Sequence, residues 1–451
     1  MRIAFFTPLS PLHTAVADHS ESLLPHLAQL ADVDLYIDDG YCPTNPAIAG
    51  RFPIDSYRSF RAHAGRYDAV LYAMGDDARF HDYVYEAMQQ FPGIVILHDT
   101  TLHRTMINRA LRSLDPERYL REMRYAYGTA DFRMAWQVIS GFGAEYATKY
   151  PLFERVVDRS LGVIVHNAYA AHQVLRYCPT ARVAQINQHF FLPPDWPQDT
   201  NLHELRLQLR ARLGLGARFV IGSFGLFVPD KRLDTCLRAF ARLRERHPEA
   251  AYLLVGSHPK SYDLPRLVRD LGLDQHVLLT GWKDPVPFTQ HMCLLDVGVH
   301  LRYPHVGGTP FTPIRLMGLG IATVLSDIGP LAGLPEGCCA KIAPDRFEEE
   351  GLLAILTRLA EDDALRERLG EAGAEWIRLH HDPRIVARRY VDNIQRFVST
   401  AAMDTHDRAA EHRAHYLIRE AAAFAVAAGI REQDDTFLQS LARSILRRDR
   451  E

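Results

Sequence analysis

Residues 294–320 read LLDVGVHLRYPHVGGTPFTPIRLMGLG. An apolar run, LLDVGVHLR, passes into a turn with two adjacent glycines and two prolines, and the next segment has the spacing of a helix. Short apolar runs bounded by turn residues read as strands buried on both faces. Thr312-Pro313 has the form of an N-cap followed by the first helical position, which predicts that the helix starts there. Strand, glycine turn and helix start together present backbone N–H groups and the positive end of a helix dipole, an arrangement that suits phosphate. The alternative is an ordinary tight turn. Residues 301–320 contain no carboxylate.

A stretch of the same form occupies 219–243, FVIGSFGLFVPDKRLDTCLRAFARL. Gly225 stands in the turn, and Lys231 and Arg232 stand near the start of the next helix. An ammonium and a guanidinium at that point could stabilise a diphosphate without a metal. Taken alone, such a pair is usually a solvated helix end.

Working outward, RIAFFTP, VDLYID, AVLYAMG, GIVILHD and LGVIVHN alternate with amphipathic segments in the first half. FVIGSFG, AYLLVGS, VLLTGW, LLDVGVHLR, ATVLSD and CCAKI do so in the second. The pattern predicts an α/β chain of two Rossmann-like, doubly wound domains, whose ligands bind at the carboxyl ends of the strands. FLPPDWPQDTN interrupts it with prolines. We therefore expect a first domain at 1–192, a linker at 193–202, a second domain at 203–382 and helices over 383–451, the last capped by Asp435 or Thr436. These C-terminal helices would pack on the sheets or on another subunit. A helical insertion between His98 and Ser160, rich in tyrosine (Tyr119, Tyr125, Tyr127, Tyr146, Tyr150), reads as packing over the sheet or as an acceptor-binding lid.

Fifty-two basic residues against 55 acidic ones leave a net charge of -3, so no global field favours nucleic acid. The six cysteines form no Cys-x-x-Cys pair, and neither a secretory signal nor an apolar run of about 18 residues is evident. A cytoplasmic protein is expected, with peripheral membrane contact left open. His412 and His415 share a helical face without further ligands at matching spacing, and no metal site is expected. Asp32-Val33-Asp34 opens a strand, the wrong end of a sheet for chemistry. Nicotinamide, P-loop and nucleophile-elbow motifs are missing, although Asp99 could orient the His98 imidazole.

The ordered blocks FGLFVPDKRLDTCLRAFARL, AYLLVGS, VLLTGW, the glycine turn and LMGLGIATVLSDIG resemble the nucleotide-binding half of the retaining GT-B glycosyltransferases of family-4 type, glycosyl transferases group 1. IAFFTPLSPLHTAVADHS and GIVILHDTTLHR extend the resemblance to roughly residues 1–400. It implies a hexosyl transfer with retention, independent of metal and of any cofactor, from a UDP- or GDP-type nucleotide sugar. The acceptor would be a glycan, a lipid-linked glycan, a protein or a small molecule. By position, Lys231 would sit on the donor diphosphate with Gly225 allowing close approach, and the amides of Gly307, Gly308 and Thr309 would cradle the same phosphates. Gly281 and Trp282 would lie near the nucleobase. On the acceptor side, His98 would approach the transferred sugar, and the loop from Thr14 to Asp18 would face the reaction centre.

The chain departs from that pattern at four places. The acids usual in the glycine turn and at the following helix are replaced by Gly307 or Gly308 and by Arg315. Leu226 stands where an arginine is common, and Ala15 where a glycine is usual. Arg315 could meet a phosphate where an acid would meet a hydroxyl. A catalytically silent binding or regulatory partner of a glycosylation pathway is therefore a second expectation, and a sugar-nucleotide epimerase a third.

Overall fold

The computed structural model describes residues 1–401 except 128–135, 139, 142–148, 198–199 and 306, and beyond 401 only residues 418 and 421. Tyr146, His412, His415, Asp435 and Thr436 lie outside the described residues. The described chain divides into two units: 1–187 with 307–308 and 387 onward, and 188–305 with 309–386.

The first unit runs β1 (Arg2–Phe6), α1 (Ala15–Leu27), β2 (Asp32–Ile37), α2 (Pro46–Ala49), β3 (Ile54–Ser56), α3 (Phe60–His63), β4 (Ala69–Met74), α4 (Ala78–Gln90) and β5 (Ile94–Leu97). It continues with α5 (His103–Arg112), α6 (Pro116–Tyr127), α7 (Glu154–Asp158), β6 (Gly162–Val165), α8 (Ala168–Tyr177) and β7 (Val183–Gln185). Its parallel sheet has the order β3-β2-β1-β4-β5-β6-β7. All four residues of β5 and of β6 are buried, as central strands covered by helices on both faces require. Asp34, from the Asp-x-Asp of β2, is taken up by Arg2 at 2.6 Å and by the Tyr67 hydroxyl at 2.8 Å, a structural role.

The second unit runs α9 (Leu202–Arg212), β8 (Val220–Phe224), α10 (Leu233–Leu243), β9 (Ala251–Val255), α11 (Leu264–Asp270), β10 (Val277–Gly281), α12 (Pro285–Met292), β11 (Val297–His300) and α13 (Phe311–Gly318). β12 (Ala322–Ser326), β13 (Ala340–Ile342), α14 (Glu348–Glu361), α15 (Asp363–His380) and α16 (Pro383–Ala401) follow. The sheet order is β10-β9-β8-β11-β12-β13. α10 shows how the sequence pattern works: Leu233, Cys236, Leu237, Phe240 and Leu243 follow helical spacing, are all buried, and pack with Ile221, Tyr252 and Val299 of the sheet. Truncating one of them, Leu237→Ala, would cost about 2–5 kcal/mol.

Two expectations need correction. The helix after the glycine turn begins at Phe311 with Pro310 as its N-cap residue, so Thr312 lies inside its first turn. Pro313 is tolerated there because the first N–H groups of a helix lack intrahelical partners anyway. β3 and β7 were not foreseen; each has three residues at a sheet edge and only partial burial, too little for an apolar run.

Both sheets reverse direction of growth at one place, between β1 and β4 in the first and between β8 and β11 in the second. Crevices for ligands form outside the carboxyl ends of strands at such points. The loops after β8 and β11 are thus neighbours although far apart in sequence.

Candidate functional site

At the carboxyl ends of β8, β9 and β10 stand Gly225, Gly256 and Gly281, with φ of 104°, 149° and 69°. The Gly225 N–H donates to Val255 O (2.9 Å) and the Gly256 N–H to Gly281 O (3.0 Å), so the three turns form one ledge. Only glycine adopts these angles without strain.

The loop leaving this ledge ends in a tight turn, Pro229–Lys231. Lys231 is half-buried, and beside it stands Arg302, which follows β11. The switch point brings the two together. Arg302 contacts Asp230 at 3.2 Å, and Asp230 O accepts from the Tyr303 N–H at 2.8 Å. Burial, with the Arg302 guanidinium adding repulsion, pushes the Lys231 ammonium down to about 7, against the pull of Asp230. His300 is buried, and burial with the charges of Lys231 and Arg302 holds its imidazole neutral, well below the usual range. Two cations, one carboxylate and a neutral imidazole leave excess positive charge, suited to an anion.

Arg232 does not join this group. It takes a left-handed conformation (φ 54°) that turns its side chain to Glu348 on α14, with Nε and Nη2 at 2.8 and 2.6 Å from one carboxylate oxygen. Glu348 is 2% exposed, so the pair pins α10 to α14. Trp282, Leu226 and Tyr303 are exposed apolar side chains that follow β10, β8 and β11. Arg315 lies over the Phe191 ring, its Cζ 4.9 Å from the centroid, and Phe191 meets Phe311 at 5.5 Å. Thr309 and Thr312 are half-buried before and within the first turn of α13.

In the first unit, Thr14 caps α1, its hydroxyl accepting from the Val16 N–H at 3.4 Å, while Ala15 and Asp18 are exposed in the first turn. His98 follows β5, is buried, and has its ring 5.0 Å from His19 and 4.9 Å from His166. Burial, with repulsion from His166, holds it neutral far below the ordinary range. His166 Nδ1 is 3.0 Å from Ile186 O, which fixes the hydrogen-bonded tautomer, and its pKa is pushed down to about 4 by burial. Among the described residues no group of His, Cys, Asp and Glu converges to hold a metal ion. Asp99 accepts from the Asp76 N–H at 3.0 Å; Asp76 is buried beside it and its carboxyl is pushed up to about 7 by burial and then by Asp99.

Gly307 and Gly308 group with this first unit. Asn167 Nδ2 donates to Gly307 O at 3.2 Å. A Cβ on Gly307, which has φ 80°, would meet Thr100 Oγ1 at 1.6 Å, and one on Gly308 would lie 2.6 Å from Asp99 Oδ1. The structure thus brings His98, Asp99, Gly307 and Gly308 into one cluster, and Gly225, Lys231 and Gly281 into another. Arg302, Gly256, His19 and His166 are members that sequence reading missed. The signal for Arg302 was a lone cation at a strand end; for the histidines only the sheet order reveals it.

Residues 207–376 match the family model described as glycosyl transferases group 1. The alpha-D-kanosaminyltransferase of Streptomyces kanamyceticus is 25% identical over 252 residues, 52% of this chain and 64% of that protein. The GDP-mannose-dependent alpha-(1-6)-phosphatidylinositol monomannoside mannosyltransferase of Mycobacterium tuberculosis H37Rv is 33% identical over 194 residues, 42% of this chain and 50% of that protein. The chain therefore spans 64% and 50% of the length of these two relatives. Anabaena Alr3699/HepE, solved in complex with UDP, has a TM-score of 0.60 at 17% identity, covering 88% of this chain and 100% of that one. Sucrose-phosphate synthase from Thermosynechococcus elongatus has a TM-score of 0.62 at 16% identity, covering 88% and 99%. These likenesses concern the fold, which is GT-B.

Proposed function

We propose that this chain is a cytoplasmic, metal-independent, retaining glycosyltransferase that moves a hexosyl group from a UDP- or GDP-type nucleotide sugar to an acceptor hydroxyl. The observation that carries the reading is the Lys231–Arg302 cation pair at the glycine ledge of β8, β9 and β10. It supplies from side chains the positive charge that a departing diphosphate needs. Trp282 offers an apolar face to the base, Gly225 and Gly256 admit the phosphates, and the amides of Gly307, Gly308 and Thr309 add donors. His98, as a neutral imidazole, meets the sugar without competing for its charge. Thr14, Ala15, Asp18 and Asp99 bound the acceptor side.

In this reaction the bond between the anomeric carbon and the diphosphate oxygen breaks and the acceptor oxygen bonds to the same face. The acceptor proton passes to the leaving phosphate. Lys231 and Arg302 stabilise the diphosphate charge as it develops, and no side chain need act as a base. Support for the donor class comes from the UDP complex of Alr3699/HepE and from the GDP-mannose dependence named for the mycobacterial relative. The acceptor is a glycan, lipid-linked, protein or small-molecule hydroxyl.

The test is transfer by the purified chain with UDP- and GDP-sugars, the anomeric configuration of the product being read by NMR. Lys231→Ala should abolish transfer with the fold intact; unchanged turnover would refute the assignment. A silent binding protein is favoured by Leu226, Ala15, Gly308 and Arg315, and is distinguished by nucleotide binding without turnover.

A further inference from the structure

A second group of cations lies elsewhere in the first unit, in a cavity of about 320 Å³ walled by α4, α5, α6 and α7. Tyr85 and Gln89 come from the last two turns of α4, Met106 and Arg109 from α5, Arg118, Arg121 and Glu122 from one face of α6, and Arg155 from α7. α4 begins just after β4, so its last turns lie toward the amino ends of the strands, away from the ends that carry His98 and Asp99. Within this unit the cavity is separate from the cluster of His98 and Asp99.

Four guanidinium groups against one carboxylate line this space. Two of them are preorganised. Arg109, 9% exposed, pairs with Asp82 and lies 4.0 Å over the Tyr85 ring. Arg155 pairs with Glu122 at 2.7 Å and lies 3.9 Å over the Tyr125 ring. The other two are loosely held: Arg118 and Arg121 share Asp115 at 3.8 and 3.5 Å. The Gln89 side-chain nitrogen is buried without a hydrogen-bond partner among the described residues. Asp82, Glu86, Asp115 and Glu122 take up only part of the N–H capacity of the four guanidinium groups, and Arg118 and Arg121 divide a single carboxylate between them, so a ligand rich in acceptors and negatively charged complements the cavity.

We infer that this cavity is a binding site for a phosphate-bearing anion. A carboxylate offers two oxygens on one edge, whereas a tetrahedral phosphate presents oxygens in several directions and so can engage guanidinium groups converging from three helices. The volume is at the lower end of that of small-molecule pockets and admits a phosphate with a modest substituent. The inference does not depend on the proposed transfer reaction, because it uses none of its residues.

The test titrates inorganic phosphate against the full-length chain in low-chloride buffer, reading the thermal unfolding midpoint of the wild type, Arg118→Gln/Arg121→Gln and Lys231→Ala. Arg118 is half-buried and Arg121 exposed, and both meet Asp115 only at 3.5 Å or more, so the double variant should fold normally. Phosphate should raise the wild-type midpoint saturably, Lys231→Ala should respond alike, and the double variant should need at least tenfold more phosphate. A double variant that responds like the wild type, or a wild type that does not respond, overturns the inference. Vesicles of phosphatidylcholine with and without phosphatidic acid identify the source. Co-sedimentation that needs phosphatidic acid and is lost in the double variant supports a lipid headgroup, and a phosphate response without co-sedimentation supports a soluble ligand.

Discussion

A Cβ placed on Gly256 would lie 1.8 Å from the carbonyl oxygen of Gly225. The ends of β8 and β9 close on each other at that point, and both residues have positive φ. Gly256→Ala should therefore destabilise the chain by about 2–4 kcal/mol in urea unfolding, because backbone rather than a flexible side chain must move. Gly272→Ala is the control: φ is 66° but nothing lies within 4 Å, so only about 1 kcal/mol should be lost. Equal losses would contradict the close approach.

Arg232 and Lys231 are adjacent in sequence and should behave oppositely. Arg232→Ala leaves the buried Glu348 carboxylate unpaired and should cost about 2–3 kcal/mol. Nucleotide affinity should stay within about threefold, since the side chain points away from the ledge. Adding Glu348→Leu should restore most of the stability, and its failure to do so would show that the pair is not the cause.

How much of this was legible in the sequence depends on where the information lies. The buried strands announce themselves as apolar runs, and Gly225, Gly281 and Lys231 follow directly as the residues at their ends. Arg302 does not, because its partner Lys231 is brought to it by the adjacency of β11 to β8. Nor does the clustering of His98 with His19 and His166, one side chain from α1 and two that follow β5 and β6. Arg232 misleads for a local reason: one left-handed residue before α10 redirects it to α14. The predicted cap at Thr312 fails because Pro310, already extended, starts the helix earlier.

Ligand binding should be coupled to protonation of Lys231. Its pKa of about 7 in the unliganded chain would rise when a diphosphate supplies negative charge, so binding at pH 8 should take up protons. Affinity should be greatest near neutral pH and fall as pH rises from 7 to 9. Calorimetry in buffers of different ionisation enthalpy reads the uptake, and no uptake at pH 8 would contradict it.

Stability should fall on acidification. His81, His166 and His381 are pushed down to about 4 by burial, so below the unfolded value of about 6.5 the unfolded chain binds protons that the folded chain refuses. Asp76, pushed up to about 7, opposes this by one proton, because its folded carboxyl is protonated where the unfolded one is ionised. The difference gives a loss of about 2 kcal/mol per pH unit near pH 5, and His98 and His300, held neutral farther below, add to it in the same direction. A urea midpoint independent of pH between 6.5 and 4.5 would be inconsistent with neutral buried imidazoles.

Restoring an acid in the glycine turn should harm rather than help. Gly308→Glu would place its Cβ 2.6 Å from Asp99 Oδ1 and a carboxylate beside another. Donor affinity and turnover should both drop, and a gain in either would show that the turn is a degenerate form of one that carries an acid.

The most direct measurement is calorimetric titration of the wild-type chain and Lys231→Ala with UDP and with GDP at pH 7. One of the two should bind the wild type, and Lys231→Ala should bind it at least tenfold more weakly, a loss of about 1.4 kcal/mol or more. Binding of neither nucleotide, or equal binding by both proteins, would contradict a donor site built on Lys231 and Arg302.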